Sequence, residues 1–538
     1  MTLLCTPILT DTADAALRAA ALAKMKGADL VEYRVDRLFD GSPDSIDACL
    51  RLAKDSPLPC IVTCRTSREG GEYDGPDDER VALYEALGTA EHPPRYLDLE
   101  QSTLDRSSNL RQKIRLAVHH PAQLRESRPS LILSMHDFDR RPADLIRRLS
   151  AMHADDSAAV LKVAYRARSL RDNLELFDLL ALRSRPMIAL GMGEFGLMSR
   201  ILAPKFGGFL TFASLHPSEV TAPGQPTLDE LVDLYRFRAI GPATRVYGVV
   251  GWPVAHSLSP LVHNAGFHAP GVEADAVYIP LPIPPEWEHF KATLLVLCDH
   301  PRLDFSGASV TLPHKEHLAR LAREEGWTID PLAERIGAAN TLVRASSGWK
   351  VANTDATAAA ESLQRAMGWL KNRRIAVIGA GGVARAVATA LVDQGATVAL
   401  YNRTKGRAEA LVAEVRAGMS GGGGQIVAAP YEKLCGACCE AFVNCTPLGM
   451  TGGPAPGESP IPPAEFENIP HGSVIFDTVY NPLRTPLLNA ALDHNLTIVD
   501  GAEMFVRQAE QQFRLFTGHA PPSGLFDRLA REKLRDAR

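Results

Sequence analysis

Residues 373–404 read RRIAVIGAGGVARAVATALVDQGATVALYNRT. The segment opens on a β-rich run, turns on glycines, continues at helical spacing and closes on a second β-rich run ending at Tyr401. Gly379 permits a tight turn, Gly381 lets the backbone come close to a pyrophosphate, and Ala384 allows the helix to pack near the strand. The whole turn, Gly379, Ala380, Gly381, Gly382, Val383 and Ala384, opens a helix whose N-terminus attracts anions. The order strand, turn, helix, strand predicts a dinucleotide-binding βαβ unit. An NAD site usually places Asp or Glu after the second strand to hold the ribose hydroxyls. Here Asn402, Arg403 and Thr404 follow, with Arg407 one turn on and no acid before Glu409. Two guanidiniums suit a 2′-phosphate, so NADP(H) is expected. The competing reading, a solvated basic loop, leaves the ribose without a partner.

Towards the N-terminus the pattern breaks near residue 236, where Gly241-Pro242 separates a helical stretch, LDELVDLYRF (228–237), from a new strand, RVYGVVG (245–251). Upstream lie eight strand candidates at 3–9, 29–36, 60–66, 95–100, 131–138, 159–165, 187–192 and 208–215. Helical runs such as DAALRAAALAKMKG and SLRDNLELFDLLALRS lie between them. Eight strand–helix units in this length predict an α/β fold, a (β/α)8 barrel, over 1–238. Residues 245–355 alternate strand and helix as a further lobe, which the C-terminal helices of 502–538 complete. The dinucleotide unit then spans 356–501, with GMSGGGGQ (418–425) as an inert loop.

At 538 residues the chain is too long for one core, and 46% hydrophobic with 22% charged residues is an ordinary globular balance. A net charge of −5 gives no electrostatic footprint for nucleic acid or an anionic membrane. No run of apolar residues is long enough for a membrane span, and MTLLCTPILTDTADAALRAA, with early Asp11 and Asp14, is expected to be neither a signal nor a transit peptide. A cytoplasmic protein acting on small molecules is expected. Nine scattered cysteines suit a reducing compartment. Cys435, Cys438 and Cys439 form a CxxCC cluster without a second ligand pair, so small residues in a loop and strand start are the expected reading and no metal is assigned.

Strand alternation sets Glu32, Arg34 and Asp36 on one face, with Tyr33 and Val35 on the other. A closed barrel has no exposed edge on which to carry three charges, so they belong to a polar mouth. The same spacing groups Thr63 with Arg65, Asp98 with Glu100, and Ser134 with His136. Lys162 sits mid-strand in AAVLKVAY, a run with no other charge; it either snorkels outward or is a buried amine able to attack a ketone.

EYRVD (32–36), TCRTSREGGEYDG (63–75), SMHDF (134–138), LKVAY (161–165), LMSR (197–200) and TAPGQPT (221–227) resemble, in order and spacing, the type I 3-dehydroquinate dehydratases. The resemblance implies that Lys162 forms a Schiff base with the C3 ketone of dehydroquinate. It makes His136 the general base and acid, with Glu69 orienting and polarising it. Arg200 would take the substrate carboxylate, with Glu32, Arg34, Arg65, Thr221 and Gln225 as further substrate contacts. Serine is frequent in relatives where Thr221 stands, and either hydroxyl serves.

YGVVGWPVAHSLSP (247–260), GASVTLPHKE (307–316), IGAANTL (336–342), NTD (353–355), NCTPLGM (444–450) and GAEMFVRQ (501–508) resemble shikimate dehydrogenase. That resemblance implies Lys315 and Asp355 as the catalytic pair and Ser257 and Ser259 as carboxylate ligands. Thr311, Asn340, Asn353, Tyr480 and Gln508 would complete the substrate site. Thr446, Gly501 and Met504 would join the Gly-rich turn around NADP(H). The two resemblances in this order match the plant-type bifunctional family, in which one product is the next substrate. Two rivals stand beside it: a quinate dehydrogenase using NAD in the second half, and a regulator resembling both domains. The second predicts lost catalytic residues, yet Lys162, His136, Lys315 and Asp355 are present.

Overall fold

Eight short apolar-rich runs in the first part of the chain each form a strand. They are β1 (Leu3–Leu9), β2 (Leu30–Arg34), β3 (Cys60–Thr63), β4 (Tyr96–Glu100), β5 (Ser130–Asp137), β6 (Ala158–Arg166), β7 (Met187–Met192) and β8 (Leu210–Phe212). In this computed structural model, which describes residues 1–119, 128–218, 224–419, 423–434 and 436–536, they form one sheet ordered β7-β6-β5-β4-β3-β2-β1-β8. The amide of Phe209, just before β8, donates to the Met187 carbonyl of β7 at 2.8 Å, bringing the sheet ends together in a nearly closed barrel. The expected eight-stranded α/β barrel is borne out.

Inward positions come in layers two residues apart. Cys5, Leu30, Ile61, Ile132, Val160, Ile188 and Leu210 form an apolar cluster inside the barrel. Two residues further along their strands, towards the C-terminal ends, come Glu32, Thr63, Ser134 and Lys162, all buried, with Asp98 on β4. One more step reaches Arg34, Arg65 and His136. Apolar burial thus closes the base, and polar residues collect at the end where barrels of this kind carry their sites.

The LDELVDLYRF stretch is helical as expected over 228–234, but from Glu230 to Leu234 it winds as a π-helix, closed by Tyr235 N–H to the Glu230 carbonyl at 3.0 Å. Arg236 then adopts φ 49°, a left-handed conformation that ends helical propagation.

Cα packing divides the chain into two compact units. The first is Met1–Arg245 with Ile279–Pro282 and Asp299–Asp304. The second is Val246–Tyr278, Ile283–Cys298 and Phe305–Arg538. The sheet that follows the barrel along the chain contains β9 (Arg245–Gly251), β10 (Ala276–Pro282), β11 (Phe305–Val310), β12 (Thr328–Ile329), β13 (Thr341–Ala345) and β14 (Gly348–Ala352). Their order is β10-β9-β11-β13-β14-β12, with β13 antiparallel to both neighbours. The C-terminal helices Gly501–Thr517 and Leu525–Asp536 pack Phe505, Ala509, Phe513 and Phe526 against Tyr247, Val262 and Phe267 of this lobe.

The other sheet contains β15 (Arg374–Ile378), β16 (Thr397–Tyr401), β17 (Gln425–Ala429), β18 (Ala441–Asn444), β19 (Val474–Asp477) and β20 (Thr497–Val499). All pair in parallel, in the order β17-β16-β15-β18-β19-β20, the doubly wound 3-2-1-4-5-6 arrangement. The order reverses between β15 and β18, so the crevice for a nucleotide opens at the ends of those two strands. Among the described residues no helix is long and apolar enough to cross a membrane.

Candidate active sites

Lys162 is buried at the centre of β6, but its surroundings are not the apolar ones its own strand suggests. Its Nζ lies 2.9 Å from Asp98 Oδ2 and 3.4 Å from Glu32 Oε1, carboxylates brought by β4 and β2. Glu32 also accepts from Thr63 Oγ1 at 2.8 Å. Asp98 Oδ1 accepts from Arg65 Nη2 at 2.8 Å and from Ser134 Oγ at 2.6 Å. Burial by itself would raise the Asp98 carboxyl; the Arg65 guanidinium and then Lys162 outweigh it and hold Asp98 well below the usual carboxylate range.

His136 is the penultimate residue of β5, with Nδ1 3.1 Å from Glu69 Oε2. Its main-chain N–H donates to the same oxygen at 3.1 Å. The other Glu69 oxygen accepts from Ser102 Oγ at 2.6 Å. Burial raises the Glu69 carboxyl, against Arg65 and the Ser102 hydrogen bond, which lower it. Glu69 is set by a tight loop. Gly70 has φ 77°, and a Cβ there would stand 2.2 Å from the Phe138 ring. Burial, then the Arg65 and Lys162 charges, push the His136 imidazole well below its ordinary 6.5, so it is neutral near pH 7. Because a carboxylate only accepts, the tautomer that fits carries its proton on Nδ1 and leaves Nε2 free to accept one.

Arg200, in the short helix Leu197–Ile201, is buried, and burial alone lowers its guanidinium to about 10. Among the described residues no carboxylate lies within 4.0 Å of it, so its charge has no local anion. The other two arginines of the pocket are compensated, Arg34 by Asp36 and Arg65 by Asp98 and Glu100. One cavity is lined by Glu32, Arg34, Arg65, Glu69, His136, Lys162, Arg200 and Gln225, together with Phe138 and Phe212. Thr221 lies outside the described residues. Sequence reasoning gave no role to Asp98, Ser134 or Ser102; alternation had already turned Asp98 and Ser134 towards the site.

In the second unit Lys315 Nζ and Asp355 Oδ2 are 2.7 Å apart. Lys315 starts the helix Lys315–Glu324, and Asp355 lies in the first turn of Thr354–Met367. The Asn353 side chain caps that helix, accepting from Ala356 N–H at 3.2 Å, and its Nδ2 donates to the Ala338 carbonyl at 2.9 Å. Asn340 Nδ2 contacts Thr354 Oγ1 at 3.0 Å and Gln508 Oε1 at 3.5 Å. Ser257 Oγ accepts from the Ser259 amide at 3.2 Å. Thr311, directly after β11, donates its N–H to the Val250 carbonyl at 2.9 Å. The Tyr480 ring stacks at a tilt on Phe505, centroids 5.3 Å apart, and Met504 is buried. Gly501 is explained by packing: a Cβ there would stand 2.3 Å from the Val479 carbonyl oxygen.

Gly379 has φ 113°, and a Cβ on it would approach the Cys445 carbonyl to 3.1 Å and Thr446 Cγ2 to 3.2 Å. By contrast, Cβ atoms on Gly381 or Gly382 would meet nothing within 4 Å, leaving open space above the N-terminus of the helix Gly382–Asp393. Ala384 is buried beneath it, and Val383 and Ala380 pack at the rim of the sheet core. Asn402 Nδ2 donates to the Thr404 carbonyl at 2.9 Å. Arg403 and Arg407 are exposed, and among the described residues neither forms an ion pair. The donor set therefore fits a pyrophosphate and a further phosphate. Cys438 is exposed, Cys439 is buried and Cys435 lies outside the described residues.

Family models match along the chain in order: type I 3-dehydroquinase at 4–242, shikimate dehydrogenase substrate binding domain at 249–342, shikimate / quinate 5-dehydrogenase at 361–421 and shikimate 5′-dehydrogenase C-terminal domain at 501–529. The chain is 35% identical, over 97% of its length and 83% of the relative's, to the chloroplastic bifunctional 3-dehydroquinate dehydratase/shikimate dehydrogenase of Arabidopsis thaliana. It belongs to that bifunctional family. Its first unit is accordingly a lyase and its second an oxidoreductase. The second half is also 41% identical to the shikimate dehydrogenase (NADP(+)) of Paramagnetospirillum magneticum, over 52% of this chain and 94% of that one. Among solved structures, dehydroquinate dehydratase and shikimate dehydrogenase from S. pombe matches 99% of this chain and 98% of its own, at 25% identity and a TM-score of 0.42.

Proposed function

We propose that the barrel dehydrates 3-dehydroquinate through a Schiff base on Lys162, and that the second unit reduces the resulting 3-dehydroshikimate to shikimate with NADPH. The observation that carries the first half is the convergence on one cavity of Lys162, His136 and Arg200, which has no carboxylate within 4.0 Å among the described residues. Arg200 captures the substrate carboxylate, presenting the C3 ketone to Lys162. Asp98, 2.9 Å from Nζ, stays an anion that holds the amine, and the proton that the attacking amine must lose has Glu32 Oε1 within reach at 3.4 Å. Nζ adds to C3, and loss of the carbonyl oxygen as water leaves an iminium. This withdraws electrons from C2, whose proton His136 Nε2 removes. The electron pair then expels the C1 hydroxyl, which leaves as water with the proton from His136. Hydrolysis of the iminium frees Lys162.

In the second unit the Gly379–Ala384 turn would hold the pyrophosphate, with Arg403 and Arg407 on the 2′-phosphate and Thr446 beside the turn. Bound there, NADPH supplies hydride to the C3 carbonyl carbon. Lys315, held by Asp355, gives a proton to the oxygen as negative charge grows on it. Ser257 and Ser259 bind the ring carboxylate, Asn340, Asn353, Thr311 and Gln508 surround the hydroxyl side, and Tyr480 and Met504 border the nicotinamide pocket.

Borohydride added with dehydroquinate should reduce the iminium and leave a mass adduct on Lys162. An adduct elsewhere, or none, rejects the mechanism. Steady-state rates with shikimate and with quinate, each with NADP and NAD, test the second half; quinate with NAD as the best pair would reject it.

A further inference from the structure

Asp36 is a residue that neither mechanism uses, although its side chain is fully buried at the edge of the barrel mouth. Oδ1 accepts from Arg34 Nε at 2.9 Å and Oδ2 from Arg34 Nη2, also at 2.9 Å. Oδ2 takes a second donor, the main-chain N–H of Glu72, at 3.0 Å. Glu72 belongs to the loop that carries Glu69. That loop is closed on itself by Ser67 N–H to the Tyr73 carbonyl and Tyr73 N–H to the Arg65 carbonyl, both at 3.1 Å. One carboxylate therefore ties a cavity-lining arginine to the segment that orients His136.

We propose that Asp36 is the positioning residue that holds Arg34 and the Glu69 loop in one register, so that substrate grip and base orientation are set together. This rests on the reading of the barrel mouth as the dehydratase site. Side-on pairing spends Nε and one N–H of Nη2, leaving Nη1 and the second Nη2 hydrogen for a ligand. It also neutralises Arg34, which suits it to a neutral hydroxyl, whereas the carboxylate goes to Arg200. Arg37 adds an outer clamp on the same loop, its Nε 2.7 Å and its Nη2 2.5 Å from the two Glu72 oxygens. That pair is half-exposed and therefore weak.

The test is Asp36→Asn in the full chain. An amide offers one acceptor oxygen where three N–H groups now converge, so at least one donor loses its partner. KM for dehydroquinate should rise about tenfold, the cost of one charge-assisted hydrogen bond. The acid limb of the pH–rate profile should move up, towards ordinary imidazole, as the Glu69 loop loosens and water reaches His136. In an Arg34→Ala background the same change should shift KM by less than about twofold, because the grip it supports is already gone, while the acid limb still moves. Arg34→Lys, which keeps the charge but not the fork, should also shift the limb, and it serves as the readout if D36N fails to fold. An unchanged KM and acid limb in a variant still labelled by borohydride overturns the proposal and leaves the Schiff-base reading intact. Absence of a Lys162 adduct in the unaltered protein overturns that reading, and the proposal with it.

Discussion

Glu69 Oε2 stands 3.1 Å from both Nδ1 and the main-chain nitrogen of His136, so one oxygen fixes the ring and the backbone of the same residue. The ring cannot turn without breaking the first contact, and the strand end cannot shift without breaking the second. A histidine held in this way has one tautomer and one direction in which to take a proton.

Glu69→Ala removes both contacts and leaves the Ser102 hydroxyl without its carboxylate. The dehydratase kcat should fall by about a hundredfold, the scale of a misaligned general base, with KM nearly constant. The dehydrogenase rate of the same chain should be unaltered. Paired steady-state assays on one preparation check this, and a kcat within twofold of the unaltered protein counts against an orienting role.

The pH dependence follows from burial. His136 is pushed below 6.5 first by desolvation and then by the Arg65 and Lys162 charges. It must be neutral to accept the C2 proton, so the dehydratase should hold its full rate as pH falls to 6.5, losing it only below. An acid limb of kcat/KM at or above 6.5 would contradict the burial argument. Stability moves in the same direction. The unfolded histidine takes up a proton near pH 6.5 while the folded one resists, so this group costs the barrel stability progressively as pH drops below 6.5.

Arg200 separates binding from stability. Among the described residues its buried charge has no carboxylate within 4.0 Å, and burial has already lowered it to about 10. Arg200→Met should raise KM for dehydroquinate by roughly a hundredfold, the value of a charge-assisted bidentate contact. Yet the thermal midpoint of the barrel should stay level or rise, because an uncompensated buried charge is replaced by an apolar chain of similar length. Melting curves without substrate decide the second half of this prediction, and a fall of several degrees would show that Arg200 holds the fold.

The legible parts of this chain were those that depend on position along a single strand or turn. Short β-rich runs gave the barrel strands, alternation grouped Glu32, Asp98 and His136 with their face-mates while leaving Lys162 open between an outward and a buried amine, and the Gly379 turn gave the doubly wound sheet. What alternation does not encode is which side chains from different strands meet. Lys162 sits in an uncharged run, and its carboxylate partners come from β2 and β4. Arg80 shows the same limit. In the helix Asp77–Thr89 it looks like an ordinary surface charge, but it is fully buried, paired with Glu100 and bonded to the Cys64 carbonyl at 2.9 Å. The helical spacing of 228–237 gave the helix but not its π winding at Glu230–Leu234 or its end at a left-handed Arg236, which periodicity does not encode.

The cofactor choice rests on charge at the end of β16. Arg403 and Arg407 are exposed and without ion-pair partners among the described residues, while the position that holds an acid in NAD sites carries Asn402. Arg403→Ala should therefore raise KM for NADP about tenfold, one guanidinium–phosphate contact, and leave KM for NAD within twofold, since NAD has no 2′-phosphate to lose. Asn402→Asp should act in the opposite sense on the pair, supplying an acceptor for the ribose hydroxyls and repelling the phosphate. The ratio of kcat/KM for the two cofactors is the measurement. If R403A lowers both cofactors equally, the arginine serves the fold of the loop, and the preference for NADP lies elsewhere in the crevice.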